Sequence, residues 1–414
     1  MSRIDELIKG LCPDGVPHLA VGDVGTFISG LTGKSKADFS GGNARFVSYR
    51  NVYNHLAADQ GADDFVRLGV GERQNELRLG DVLFTGSSET PDDVGMSSVI
   101  LKPPQEPLYL NSFCFCLRPA DTNLLLPGYS KYVFRSAGVR KQIAAAASGV
   151  TRFNISKGRF AKIEIPVPPL EVQREIVRVL DLFTTLEAEL EAELEARRRQ
   201  YAHYRDSLLT FPEGGVRWAT MGEVGEFTRG RRFVKTDIVD AGIPAIHYGE
   251  IYTAYGVAAS VTISHVRHTL ATQLRYAKTG DVVIAAVGET VEDVGKAVAW
   301  LGDEDVAIHD DCFAYRHSMN PKYVAYYLLT DTFHTQKSKH VARAKVKRLS
   351  AESLAKITIP VPPLDEQARI VAILDKFDAL VNDLSDGLPA ELSARRKQYE
   401  HYRDRLLTFK EAVA

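Results

Sequence analysis

The sequence predicts an α+β chain: two mixed α/β domains separated by two long helices that pair as an antiparallel coiled coil, in a pseudo-twofold circular arrangement. Three observations predict it. The chain repeats itself once; each copy carries a long apolar seam at helical spacing behind a double proline; and strand-like alternation fills the segments ahead of each helix.

The duplication is legible directly. IPVPPLEVQREIVRVLD from Ile165 returns as IPVPPLDEQARIVAILD from Ile359, an offset of 194 residues. RRRQYAHYRDSLLTF from Arg197 returns from Arg395 at an offset of 198, so four residues, about one helical turn, are inserted within the second copy. VGDVGTFISG from Val21 matches MGEVGEFTRG from Met221, and GDVLFTGSSETPDDVG from Gly80 matches GDVVIAAVGETVEDVG from Gly280, both at an offset of 200. Blocks in one order at nearly one offset divide the chain into 1–164, a first globular domain; 165–211, a first helix; 212–358, a second globular domain; and 359–414, a second helix. The first helix runs through LLTF into PEGGV, and the chain starts on IDELIKGLCPDGV, the same junction. This circular pattern predicts that the two ends of the chain lie close together.

The globular segments alternate as strands do, in FVSYRNV, GDVLFTG and SSVILK and again in IPAIHYGEI, GDVVIAAVG and KAVAWL, with short helical runs between them. Pro168-Pro169 and Pro362-Pro363 stop an extended segment and open a helix, because proline is tolerated in a first turn. In the first helix the seam runs Ile176, Val179, Phe183, Leu186, Leu190, Leu194, Tyr201, Tyr204 and Leu208, and about 40 residues make a rod of roughly 60 Å. The partner-helix packing positions are Ile176, Phe183 and Leu190, with Ile370, Phe377 and Leu384 opposite. Gly387 and Pro389 should break the second helix in two, since an interior proline removes a backbone hydrogen bond. Glu187, Glu189, Glu191, Glu193 and Glu195 form an acidic stripe expected to repel phosphates and face solvent or protein.

With 45% hydrophobic and 25% charged residues the composition is that of an ordinary globular protein, and the net charge of −2 leaves partners open. The four cysteines form no CxxC pair, charged residues interrupt the N-terminal segment, and no long apolar run occurs, so a reducing cytoplasm is expected.

Catalytic signatures fail in turn. GLTGKS at 30–35 lacks the first glycine of a phosphate loop, since Ile28 stands there. Asn320-Pro-Lys-Tyr323 is faintly like an adenine methyltransferase tetrapeptide, but an N-cap followed by proline explains it better. His309-Asp310-Asp311 could ligate a metal, yet the first copy has Asn111 and Phe113 nearby, so a structural role is expected and no metal is assigned. Pro91-Asp92-Asp93 lacks the rest of a nuclease motif. No catalytic residues are assigned.

Basic residues interleaved with aromatics recur at matching places in both copies. The first has Lys34, Lys36, Arg45, Tyr49 and Arg50, then Arg152 and Asn154. The second has Arg229, Arg231, Arg232, Lys235, His247 and Tyr248, then Arg343, Lys345, Lys347 and Arg348. Lysine and arginine neutralise phosphates, while arginine, asparagine and serine can read base edges. The aligned loops TGSSET, with Ser87 and Ser88, and AAVGET differ as expected if each copy reads different DNA.

The two IPVPPLxxQ helices at 165–211 and 359–409, with GLTGKSKADFSGGNARFVSY at 30–49, resemble the specificity subunits of type I restriction–modification systems over the whole chain. The resemblance implies two target-recognition domains, each reading half of an asymmetric bipartite site on double-stranded DNA, with the helices as spacer and as docking surface for two methyltransferase subunits. It implies no cofactor in this chain. S-adenosylmethionine would sit on the methyltransferase subunits, and ATP with Mg2+ on a restriction and translocation subunit. The broken second helix departs from a regular rod. A stand-alone DNA-binding regulator or architectural protein, and an enzyme with an unrecognised site, are the alternatives.

Overall fold

The computed structural model describes residues 3–212, 214–341, 346–383 and 385–412, arranged as two compact units. One comprises residues 1–189 with 393–414, the other residues 190–392, so each long helical region contributes to both.

In the first unit a four-stranded antiparallel sheet has the order Gly25–Ser29, Cys114–Pro119, Val82–Thr85, Ser97–Val99. Beside it, Ala44–Val47 lies between Phe65–Val66 and Leu108–Leu110, parallel to the latter. The second unit repeats the plan with more strands. Gly225–Arg229, Cys312–His317, Val282–Ala285, Ala297–Trp300 and Ala258–Ala259 form one sheet, and Ile243–Ile246 runs parallel to Val306–Ile308 in another. Val82, Leu83 and Phe84 are all fully buried, as are Val282, Val283 and Ile284, so these strands are covered on both faces. The GDV that precedes each has a structural reason. Asp81 accepts from Arg118 at 2.8 and 2.7 Å, and Asp281 from Arg316 at 3.1 and 2.8 Å, pinning neighbouring strands with a bidentate pair.

An antiparallel strand pair leads into each helix: His18–Ala20 with Glu164–Pro166, and Arg217–Thr220 with Thr358–Val361. Gln173 and Gln367, both buried, explain the glutamine of the repeated motif. Gln173 Nε2 donates to the Pro168 carbonyl and its Oε1 accepts from the Leu126 N–H. Gln367 does the same with Pro362 and the Asn320 N–H. Each glutamine thus ties the helix start to its own globular part.

The first helix is continuous over Leu170–Leu208, whereas the second is two helices, Leu364–Asn382 and Leu388–Leu406. Between them the Asp383 carboxylate accepts from the Ser385 N–H and hydroxyl, and a side chain at Gly387 would lie 2.6 Å from the Ala379 carbonyl oxygen. The inserted turn is therefore a built interruption. In the first unit Phe183 stacks on Tyr402 at 5.3 Å and Glu187 pairs with Arg396 at 2.7 Å, so the two helical segments run antiparallel there. In the second unit Phe377 stacks on Tyr204 at 5.3 Å and on Tyr201 at 6.5 Å, and the Tyr201 hydroxyl donates to Asp378.

The seam needs correction. Leu186 and Tyr204 are 47% and 41% exposed. Ile176 and Ile370 are buried chiefly in their units' own cores, beside Tyr129 and Tyr132 in one and Tyr323 and Tyr326 in the other. Each helix start packs on its globular part as well as on a helix, which splits the apolar stripe between two partners. Leu190 packs against the second unit's core, and Leu384 lies outside the described residues.

The circular pattern has a physical counterpart. Val16 pairs with Glu411: its N–H donates to the Lys410 carbonyl at 2.8 Å, and its own carbonyl accepts from Ala412 at 3.1 Å. Gly15, at φ +117°, leaves no room for a side chain against Glu411.

Candidate nucleic-acid interface

In the first unit Ser48 caps the short helix Tyr49–Asn54 by accepting from the Asn51 N–H, which sets Tyr49 and Tyr53 one turn apart and stacked at 6.3 Å. The Tyr49 hydroxyl donates to the Ser87 carbonyl at 2.7 Å, and Tyr53 donates to Asp93 at 2.7 Å. Strand Ser87–Ser88 pairs with Phe153–Asn154, Asn154 opposite Ser87. These elements enclose an open cleft of about 790 Å3 lined by Tyr49, Arg50, Ser87, Ser88, Phe113 and Arg152, among others. The Arg152 guanidinium sits over the exposed Phe113 ring, 5.5 Å from its centre. Five of the residues selected from sequence thus meet around one cleft, and Asn154 lies exposed on its bordering strand. Burial raises the Tyr49 hydroxyl pKa. Asp93 is held below the usual carboxylate range by the Thr90 and Tyr53 hydroxyls.

The second unit has a cleft of about 420 Å3 that shares the short-helix start, the loop at Asp311 and the segment at Arg348 with the first, but adds residues 229–235 in place of the loop at 87–93. His247 caps Tyr248–Thr253, its Nδ1 accepting from the Gly249 N–H. Lys347–Arg348 pairs with Val287–Gly288, Arg348 opposite Val287, so Arg348 occupies the register place of Asn154. Arg229, Arg232, Lys235, His247, Tyr248 and Arg348 line the cleft together with His309, Asp310 and Asp311. The carbonyl that Tyr49 holds in the first unit is held here, at Val287, by Tyr252 from one turn later on the helix. His247 and His309 lie ring to ring at 4.5 Å, and burial, then the neighbouring His309, lowers the His247 pKa.

Other selected residues sit elsewhere. The Lys34 side chain is only 7% exposed; it pairs with Glu72 at 2.6 Å and donates to the Arg67 carbonyl at 2.8 Å. The hydrogen bond from Lys34 to Glu72 is the main reason the Glu72 pKa falls to about 2. Arg45 pairs with Glu106 at 2.7 Å over the Phe65 ring, in a different cleft. Lys36 and Arg231 are exposed and Lys347 is half-buried, none of the three lining either cleft. Arg343 and Lys345 lie outside the described residues.

The motifs weighed for chemistry have local structural explanations. Asn320 Oδ1 accepts from the N–H groups of Lys322 and Tyr323, an N-cap. Asp93 and Asp293 each hold the hydroxyl of a threonine three residues earlier. The loops carrying them are clamped from outside: Arg140 donates to the carbonyls of Asp92, Val94 and Gly95, and the fully buried Lys337 to those of Glu292 and Val294. The donor atoms of His309, Asp310 and Asp311 lie within 4.8 Å of one another, with Asp311 paired to Arg348. Sequence reasoning passed over Phe113 and Asp311 as interface residues. Their alignment within the repeat was the available signal. No helix among the described residues is long and apolar enough to cross a membrane.

A family model described as the type I restriction modification DNA specificity domain matches the chain twice, over residues 13–196 and 215–394. Over 60% of its length the chain is 35% identical to the type I restriction enzyme EcoR124I/EcoR124II specificity subunit of Escherichia coli, spanning 63% of that protein. Over 63% of its length it is 34% identical to a putative type I restriction enzyme specificity subunit, S.HindORF215P, of Haemophilus influenzae, spanning 68% of that protein. A solved structure, described as the structural basis underlying complex assembly and conformational transition of the type I R-M system, is similar in fold. Its TM-score is 0.61 at 17% identity, over 95% of this chain and 98% of that one.

Proposed function

The chain belongs to the family of type I restriction modification DNA specificity domains, and on that premise we propose that it is a DNA-specificity subunit whose two units each read one half of an asymmetric bipartite site. One observation carries the proposal: each unit has an open cleft between the start of its short helix, at Tyr49 or Tyr248, the loop at Phe113 or Asp311 and the segment at Arg152 or Arg348, and the rest of the lining differs. Serines, tyrosines and Arg152 line the first cleft; arginines, histidines and aspartates line the second. A shared position in the repeat with a changed lining suits one docking geometry applied to two base sequences. Exposed cations such as Arg50 and Arg232 supply phosphate contacts, and the exposed Arg152 and Asn154 and the partly exposed Ser88 supply contacts to base edges. Ser87 is buried, and the Tyr49 and Tyr53 hydroxyls are held within the fold.

In this reading the helices dock two methyltransferase subunits. Those subunits hold S-adenosylmethionine and methylate adenine, and ATP and Mg2+ serve a separate restriction subunit. Sequencing modified adenines in host DNA, with and without this chain, tests the proposal. A bipartite motif that vanishes with the chain is the expected result. Methylation independent of the chain, or sequence-specific DNA binding with no associated methylation, would favour a stand-alone regulator instead.

A further inference from the structure

Resting on that reading, we propose that Arg348 is a base-reading residue of the second unit, held by Asp311 to recognise a guanine. Three observations place it there. Arg348 projects from the strand pair bordering the cleft, at the register position that Asn154 holds in the first unit. Its side chain is 59% exposed, yet one guanidinium nitrogen lies 3.5 Å from Asp311 Oδ1. Asp311 is itself held, its N–H donating to His309 Nδ1 at 3.2 Å and its side chain only 21% exposed.

A phosphate contact needs a positive charge and little else. Reading guanine needs the planar fork aimed at O6 and N7 together, so a carboxylate that holds one end of the guanidinium and leaves the rest exposed serves base reading rather than charge neutralisation. The first unit offers a chemical parallel. Phe113 stands at the repeat position of Asp311, and Arg152 lies over its ring at 5.5 Å. One loop position thus supports an arginine in both units, by a carboxylate in one and an aromatic face in the other. Asp311 is a positioning residue; Arg348 makes the contact.

The test uses the full chain in its host, with modified adenines sequenced for the wild type, Arg348→Gln and Asp311→Asn. Arg348→Gln should make a single G·C position degenerate, in one half-site only. Asp311→Asn should relax that same position to a smaller degree. On duplexes carrying the site, 7-deazaguanine at that position removes the N7 acceptor. It should weaken binding of the wild type by roughly 10- to 100-fold and leave Arg348→Gln nearly unaffected. If Arg348→Gln weakens binding to all sequences equally and lowers the salt slope by about one, Arg348 is a phosphate contact and the inference fails. An unchanged motif in both variants overturns it as well. In either case the wild type's bipartite motif leaves the parent reading standing, whereas a wild type without such a motif sinks both.

Discussion

The Tyr132 hydroxyl donates to Asp181 Oδ1 at 2.5 Å, joining the globular part of the first unit to its long helix. Lys131 meets the same oxygen at 2.6 Å. The second unit repeats the arrangement with Tyr326, Lys322 and Asp375, at 2.7 Å for each contact. Removing the carboxylate leaves a buried hydroxyl and a largely buried ammonium without their partner. Asp181→Ala should therefore lower unfolding stability by about 1–3 kcal/mol. Tyr132→Phe, which removes only one donor, should cost less, about 1 kcal/mol. Denaturant titration of both variants checks the order, and equal costs would show that the tyrosine contact carries everything.

Acid should destabilise the second unit through His317 and His334. Burial lowers both imidazole pKa values to about 4, against an ordinary 6.5. Between those values the folded state binds fewer protons than the unfolded chain, so stability rises with pH and is lost as pH falls from 6.5 towards 4. His317→Leu should flatten the dependence of the denaturation midpoint over that window. An equally steep dependence in the variant would assign the acid sensitivity to other groups.

Lys337 predicts an opposite window. Burial lowers its ammonium pKa to about 8 from 10.5. The folded state again binds fewer protons between those values, so stability gains a contribution as pH rises from 8 to 10.5. Lys337→Met should lose that rise. It should also speed proteolysis near Glu292–Val294, whose carbonyls lose their donor. Unchanged cleavage there would mean that the loop is held without Lys337.

Salt dependence separates the two kinds of basic residue. Arg50→Ala, at an exposed position in the first cleft, should weaken DNA binding and reduce the slope of log affinity against log salt by about one. Lys34→Ala should leave that slope unchanged and lower stability instead, because its ammonium is enclosed against Glu72. A slope change for Lys34→Ala would return it to the interface.

Much of the architecture was legible because its signals are local. Double prolines mark the helix starts at Leu170 and Leu364, and Gly387 with Pro389 mark the break now seen between Asn382 and Leu388. The seam was only partly legible. Periodicity identifies an apolar stripe but cannot say whether a helix or a sheet covers it, so Ile176 and Leu186 look equivalent in sequence. They differ in the fold, one fully buried and the other 47% exposed.

By itself the sequence determined the duplication, the helix limits, the inserted interruption and the set of cations from which an interface could be drawn. Each depends on backbone preference or on self-similarity along the chain. Tertiary structure alone decided which cations are available. Lys34 is enclosed by Glu72, 38 residues away, while Tyr49, Ser87, Phe113 and Arg152 come together from four separate segments. A side chain's charge is written in its residue type; whether a partner already meets that charge depends on distances that only folding sets.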